Sequence, residues 1–162
     1  MPNPVLSEGQ RAPAFTLPAT GGGRVRLTEL RGRWVVLFFY PRDGSPGCTN
    51  EVRAFREQHA DLAGLGAVVF GVSPDDLDSH EAFVARERLP FPLLTDRDSR
   101  VGARYGVWRE KSNYGRKYLG LVRSTFLIDP SGRIVRIFDN VRVKGHVQRV
   151  RRALEEQLAS GA

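Results

Sequence analysis

Two hydrophobic rhythms alternate along the chain. Residues 34–40 form a continuous run of apolar, β-branched and aromatic side chains between Gly32 and Pro41, the pattern of a strand buried on both faces. From Ser45 the period changes. Val52, Phe55, His59 and Leu62 recur at three and four residues, up to Gly64 and Gly66, which predicts an amphipathic helix. Residues 67–72 are a second buried run. Strand, helix and strand in immediate succession make a βαβ unit with parallel strands and a right-handed crossover.

Upstream, residues 14–17 and 25–27 flank Gly21-Gly22-Gly23, a hairpin signal. Thr28 is expected to cap a brief helical turn ending at Gly32. Downstream, a helix is predicted over residues 77–89 with Ala82, Phe83 and Leu89 inward, then a short strand over 92–95 and a short helix over 99–105. Residues 108–120 are polar and irregular, and longer than a simple connection, so they read as a lid or binding loop. Residues 124–129 and 133–138 flank Pro130-Ser131-Gly132 as a second hairpin. Val147, Val150, Leu154 and Leu158 space a last helix from His146 to about residue 159. This order implies an α/β thioredoxin-like sandwich, a central mixed β-sheet with helices on both faces and an N-terminal β-hairpin extension. No repeat or linker interrupts it, so residues 1–162 read as one domain.

Composition narrows the chemistry. A chain of 162 residues buries about 70% of the surface its unfolded form exposes, so it needs no disulfide staple. The N-terminus has no basic region followed by an apolar one, and no apolar run reaches membrane-spanning length. A soluble, cytoplasmic protein without membrane partners is expected. The net charge is +7, and of 25 basic residues only Lys111, Lys117 and Lys144 are lysines. The arginines are scattered from Arg11 to Arg152 without blocks or interleaved aromatics, a solvated basic surface and not a nucleic-acid face.

Cys48 is the only cysteine, which excludes an internal disulfide and a thiolate metal cage; no metal or cofactor is expected. It follows the end of the central strand, where open α/β folds place their sites. Pro41 ends that strand, Ser45 is a good N-cap and Pro46 suits the first helical position, which puts Cys48 in the first turn. Unpaired N–H groups and the helix dipole favour a thiolate there. An ordinary thiol of pKa about 8.5 is only about 3% ionised at pH 7, and lowering that value by about 2 takes roughly 2.7 kcal/mol. The dipole supplies only about 0.3–1 kcal/mol, so a cationic partner is required. A histidine base is one option. His59 lies about 16 Å down the same helix, too far to serve, and His80 and His146 are expected on solvated helix surfaces or caps. That leaves arginine.

Pro41-x-x-x-Ser45-x-x-Cys48 resembles the peroxiredoxin active-site motif, and Ser45-Pro46-Gly47-Cys48-Thr49-x-Glu51 is similar to the bacterioferritin comigratory protein, or peroxiredoxin Q, version of it. The resemblance runs nearly the whole chain. It includes Gly9-x-x-Ala12-Pro13-x-Phe15, Gly71-Val72-Ser73-x-Asp75, Phe91-Pro92-Leu93-Leu94-x-Asp96, Tyr105-Gly106-Val107-Trp108 and Arg123-Ser124-Thr125-Phe126-Leu127-Ile128-Asp129-x-x-Gly132.

This resemblance implies a thiol-dependent peroxidase that reduces hydrogen peroxide and organic hydroperoxides through a sulfenic acid on Cys48. Arg123 would supply the missing cation, Ser45 would hydrogen-bond the thiolate or peroxide, and Pro41 would shield the site. Ser45, Gly47 and Arg123 would contact substrate, and Glu51 would orient an arginine. Arg116 is no more than a loop candidate. Many members carry a resolving cysteine five residues after the first, where this chain has Arg53. The sulfenic acid would therefore be reduced by an external thiol: thioredoxin, a glutaredoxin-type protein or a low-molecular-weight thiol. The expected assembly is a monomer or weak homodimer. A non-catalytic redox-sensing or interaction module of the same fold is the alternative.

Overall fold

The structure, a computed structural model, describes residues 6–161. Residues 1–5, part of the N-terminus in which no leader pattern was found, lie outside them, as does residue 162. In chain order the elements are β1 (Thr16–Pro18), β2 (Arg24–Arg26), a 3-10 turn (Leu27–Leu30), β3 (Trp34–Phe39), α1 (Pro46–Gly64), β4 (Ala67–Ser73) and α2 (Leu77–Glu87). They continue with β5 (Leu93–Thr95), α3 (Arg100–Arg104), β6 (Trp108–Asn113), β7 (Arg116–Leu121), β8 (Ser124–Ile128), β9 (Ile134–Phe138) and α4 (His146–Ser160).

The main sheet has the order β5-β4-β3-β8-β9. β3 pairs parallel with β4, and β4 with β5, whereas β8 runs antiparallel to both β3 and β9. The predicted central strand is thus central. Because side chains alternate along a strand, β3 feeds two cores. Val35, Leu37 and Phe39 join the cluster under the N-terminal hairpin, α3 and Tyr105. Val36, Phe38 and Tyr40 join the one under α1, α2 and α4, which holds Cys48. Phe55 of α1 stacks on Phe38 of β3 at 4.3 Å between ring centroids, fixing the helix over the strand it follows.

One N-terminal segment covers both edges of this sheet. Gly9 N–H donates to the Ile134 carbonyl and Ile134 N–H to that of Gln10, beside β9. Thr20 N–H donates to the Leu93 carbonyl and its hydroxyl accepts from Leu93 N–H, beside β5. The exposed donors and acceptors that make an open edge adhesive are thereby satisfied there.

Four expectations need correcting. Residues 108–120 are no irregular loop: β6 and β7 form an antiparallel hairpin. Its two-residue turn, Tyr114-Gly115, has both φ angles positive, the geometry that suits the twist of paired strands. Solvent on both faces of this ribbon erases the alternation by which a strand is read. The 3-10 turn has Arg26 at its cap with no side-chain hydrogen bond, and Thr28 lies inside it. Ala82 is exposed on α2, which buries His80, Phe83 and Glu87. His80 and His146 are fully buried, not solvated.

Gly71 shows how tightly the sheet is packed. A Cβ there would lie 2.7 Å from Phe38 Cζ and 2.8 Å from Leu93 Cδ2. Gly71→Ala is expected to destabilise the protein by about 1–3 kcal/mol through overpacking, read as a lower denaturation midpoint at unchanged m-value.

Candidate active site

The site is built where β3 hands over to α1. Ser45 has extended backbone angles and caps α1: its Oγ accepts from Cys48 N–H at 3.4 Å. Pro46 follows in the first turn, where its missing N–H costs nothing. Cys48 is thereby held in the first turn of α1 as a fully buried free thiol. Pro41 is half-buried at the start of the preceding bend.

Arg123 enters from β8, as the residue just before that strand. Its Nη1 donates to Glu51 Oε1 at 2.6 Å, which sets the guanidinium beside the first turn of α1. Burial works against the Arg123 charge, yet Glu51 and Cys48 beside it hold the group above its ordinary value. Gly47 leaves room for this approach, because a Cβ there would stand 3.1 Å from Arg123 Nη2. The structure therefore brings Cys48, Ser45, Gly47, Glu51 and Arg123 together. Glu51 is fully buried. The Ser45 hydroxyl donates to the Arg42 carbonyl at 3.2 Å, so its hydrogen is turned away from the sulfur. Arg116 lies exposed on β7. Trp108, at the root of that hairpin, packs against the core on the other side of the sheet from Cys48.

Two buried polar groups back the site. Burial pushes the Glu51 carboxyl up to about 7, with Arg123 pulling the other way, and Glu51 Oε2 has no hydrogen-bond partner. His146 shares a 2.8 Å hydrogen bond with Thr125 Oγ1 through Nε2. Burial, then the charges of Arg149 and Arg123, lower its pKa to about 4, so its ring is neutral at pH 7.

A third group went unread in the sequence. Asp43, inside the turn between Pro41 and Ser45, accepts from Tyr40 Oη at 2.6 Å and Ser79 Oγ at 2.8 Å, and pairs with His80 Nδ1 at 2.7 Å. Its own N–H donates to Asp75 Oδ2 at 2.7 Å, which also accepts from Ser73 Oγ at 2.6 Å. His80 Nε2 meets the Leu94 carbonyl at 3.0 Å. Burial alone would raise Asp43, but the His80, Tyr40 and Ser79 contacts hold it below the usual carboxylate range. Among the described residues Asp43, Asp75 and His80 are the group whose ligand atoms lie within 4.8 Å of one another. Those atoms already face the donors of their neighbours, so the cluster is a closed hydrogen-bond network. The pairing of Ser73 and Asp75 in Ser73-x-Asp75 was the available sequence signal, but it carried no role.

The arrangement of a first-turn thiol, a partly buried arginine and a supporting carboxylate coincides with what the comparisons find. Residues 8–137 match the AhpC/TSA family. The chain is 45% identical to a putative peroxiredoxin Bcp of Coxiella burnetii, covering 90% of this chain and 96% of that one. It is 42% identical to peroxiredoxin Bcp of Bacillus subtilis over 91% and 94%. A solved bacterioferritin comigratory protein of Xanthomonas campestris superposes with a TM-score of 0.85 at 37% identity, covering 88% of this chain and 91% of that one. The chain belongs to the AhpC/TSA family, among its peroxiredoxins of the Bcp, or peroxiredoxin Q, kind. These are thiol-dependent peroxidases. No helix among the described residues is long and apolar enough to cross a membrane.

Two tests follow from the geometry. Gly47→Ala is expected to slow the peroxide reaction by about 3–10-fold by displacing Arg123; stopped-flow kinetics check it. The second concerns pH. Between 4.5 and about 7 the folded state holds a proton on Glu51 that the unfolded chain releases, so this group's stabilisation declines as pH rises through that window. Between about 4 and 6.5 the unfolded chain binds a proton on His146 that the folded state does not, so this contribution is lost as pH falls. The two slopes oppose each other. Glu51→Gln is expected to leave stability rising with pH from about 4.5 to 6.5, more steeply than in the parent by up to about 1.4 kcal/mol per pH unit, as read from urea titrations.

Proposed function

We propose that Cys48 is the nucleophile of this thiol-dependent peroxidase and that Arg123 is its cationic partner. The observation that carries this reading is the Arg123 guanidinium paired with the buried Glu51 and packed against Gly47, next to Cys48, at the start of α1. The thiolate attacks one oxygen of a hydroperoxide. An S–O bond forms, the O–O bond breaks, and the electron pair leaves on the second oxygen, which takes a proton to become water or an alcohol. Charge grows on that leaving oxygen, and fixed cationic and hydrogen-bond donors favour such a transition state. Arg123 fills that role, with Glu51 holding it in position, the Ser45 hydroxyl keeping Cys48 in the capped turn, and Pro41 shielding the sulfur. Both hydrogen peroxide and alkyl hydroperoxides are substrates in this reading. The Xanthomonas relative is described for its alkyl peroxide reduction activity.

Regeneration needs a second molecule. The Xanthomonas peroxiredoxin Q has been solved with either of two cysteines replaced by serine, whereas this chain has one cysteine. A first external thiol displaces water from the sulfenic acid to form a mixed disulfide, and a second thiol releases Cys48. A thioredoxin, a glutaredoxin-type protein or a small thiol fits that chemistry. A cytoplasmic location agrees with a lone free thiol that depends on a reducing pool, and a monomer or weak homodimer is the assembly expected.

One equivalent of hydrogen peroxide is expected to add one oxygen to the intact mass, reversed by an added thiol. Cys48→Ser should show neither the addition nor thiol-dependent peroxide turnover. Turnover by that variant would overturn the assignment.

A further inference from the structure

We infer that Asp75, together with Asp43 and His80, forms a positioning network for the peroxide reaction, acting on Cys48 through the Arg42 carbonyl and the Ser45 hydroxyl. It rests on the reading above that Ser45 serves this site.

The mechanical link is a single peptide unit. The Arg42 carbonyl and the Asp43 N–H belong to one planar trans group, so the two point in opposite directions and turn together. Asp75 Oδ2 holds the N–H end at 2.7 Å. The carbonyl end accepts the Ser45 hydroxyl hydrogen at 3.2 Å. With its one hydrogen committed there, the Ser45 oxygen turns its lone pairs toward Cys48 N–H. Asp75 thus sets the peptide plane, the plane sets the hydroxyl, and the hydroxyl sets the first turn of α1, where Cys48 meets Arg123.

The anchoring exceeds what a surface turn needs. Asp43 is tied by its backbone to Asp75 and by its carboxylate to Tyr40 at the end of β3 and to Ser79 and His80 on α2. His80 is in turn seated on the Leu94 carbonyl of β5, and Asp75 on Ser73 of β4. Three strands and a helix therefore converge on one loop residue, which stands between Pro41 and Ser45. A change two side chains away from the sulfur is transmitted to it through fixed hydrogen bonds, with no part of the network touching substrate.

The test is single-turnover loss of the Cys48 thiol with hydrogen peroxide at pH 7 in Asp75→Ala, Asp75→Asn, Ser45→Ala and the double variant Asp75→Ala with Ser45→Ala. Asp75→Ala is expected to lower the second-order rate constant by about 10-fold. Asp75→Asn keeps an acceptor oxygen and should recover to within about 3-fold of the parent. The double variant should be no slower than Ser45→Ala alone, because the network acts through that hydroxyl. Should Asp75→Ala fail to fold, Ser79→Ala, which removes the 2.8 Å contact to Asp43, should give a 2–3-fold loss that disappears in the Ser45→Ala background. Parent-like rates in Asp75→Ala or Ser79→Ala, an Asp75→Asn variant as slow as Asp75→Ala, or losses that multiply with Ser45→Ala would each overturn the network's role and leave that of Ser45 standing. A parent-like rate in Ser45→Ala would overturn both.

Discussion

The site depends on one contact, the 2.6 Å pairing of the partly exposed Arg123 with the fully buried Glu51. A buried ion pair is a poor source of stability, because removing both charges from water offsets most of their attraction. Its role here is geometric. Arg123 is the residue before β8 and Glu51 comes from the second turn of α1, and their pairing fixes the guanidinium over the first turn of that helix. Glu51 is itself near its midpoint at neutral pH, so the pair holds a balance between burial and charge that a surface pair never meets.

The rest of the fold is arranged to keep that contact in register. β3 supplies Phe38 to seat α1, and Tyr40, just after it, seats the turn before that helix. The cap at Ser45 decides where the helix starts, and so which residue lies in its first turn. Since β8 is the antiparallel neighbour of β3, the residue preceding β8 arrives beside the end of β3. Sheet order alone thus carries Arg123, 75 positions away in sequence, to Cys48.

Much of this was legible in the sequence, for physical reasons that differ by element. The buried strands and α1 announced themselves because burial on two faces, or on one helical stripe, leaves a periodic signature. The cap and proline before Cys48 were equally plain, since both are local rules of helix initiation. Arg123 was reached only through a resemblance: nothing in spacing says which of many arginines meets a distant thiol. His80 and His146 were misjudged because polarity predicts exposure, and only the tertiary structure reveals the partners, Asp43, Leu94 and Thr125, that make their burial tolerable. The β6–β7 hairpin was missed since solvent on both faces removes the pattern by which strands are recognised.

Arg53 stands five residues after Cys48, about one and a half turns further along α1. Its Nε pairs with Glu87 Oε1 at 2.6 Å, joining α1 to α2. An ion pair has one chemical form where a dithiol has two. The link between these helices is therefore indifferent to redox state.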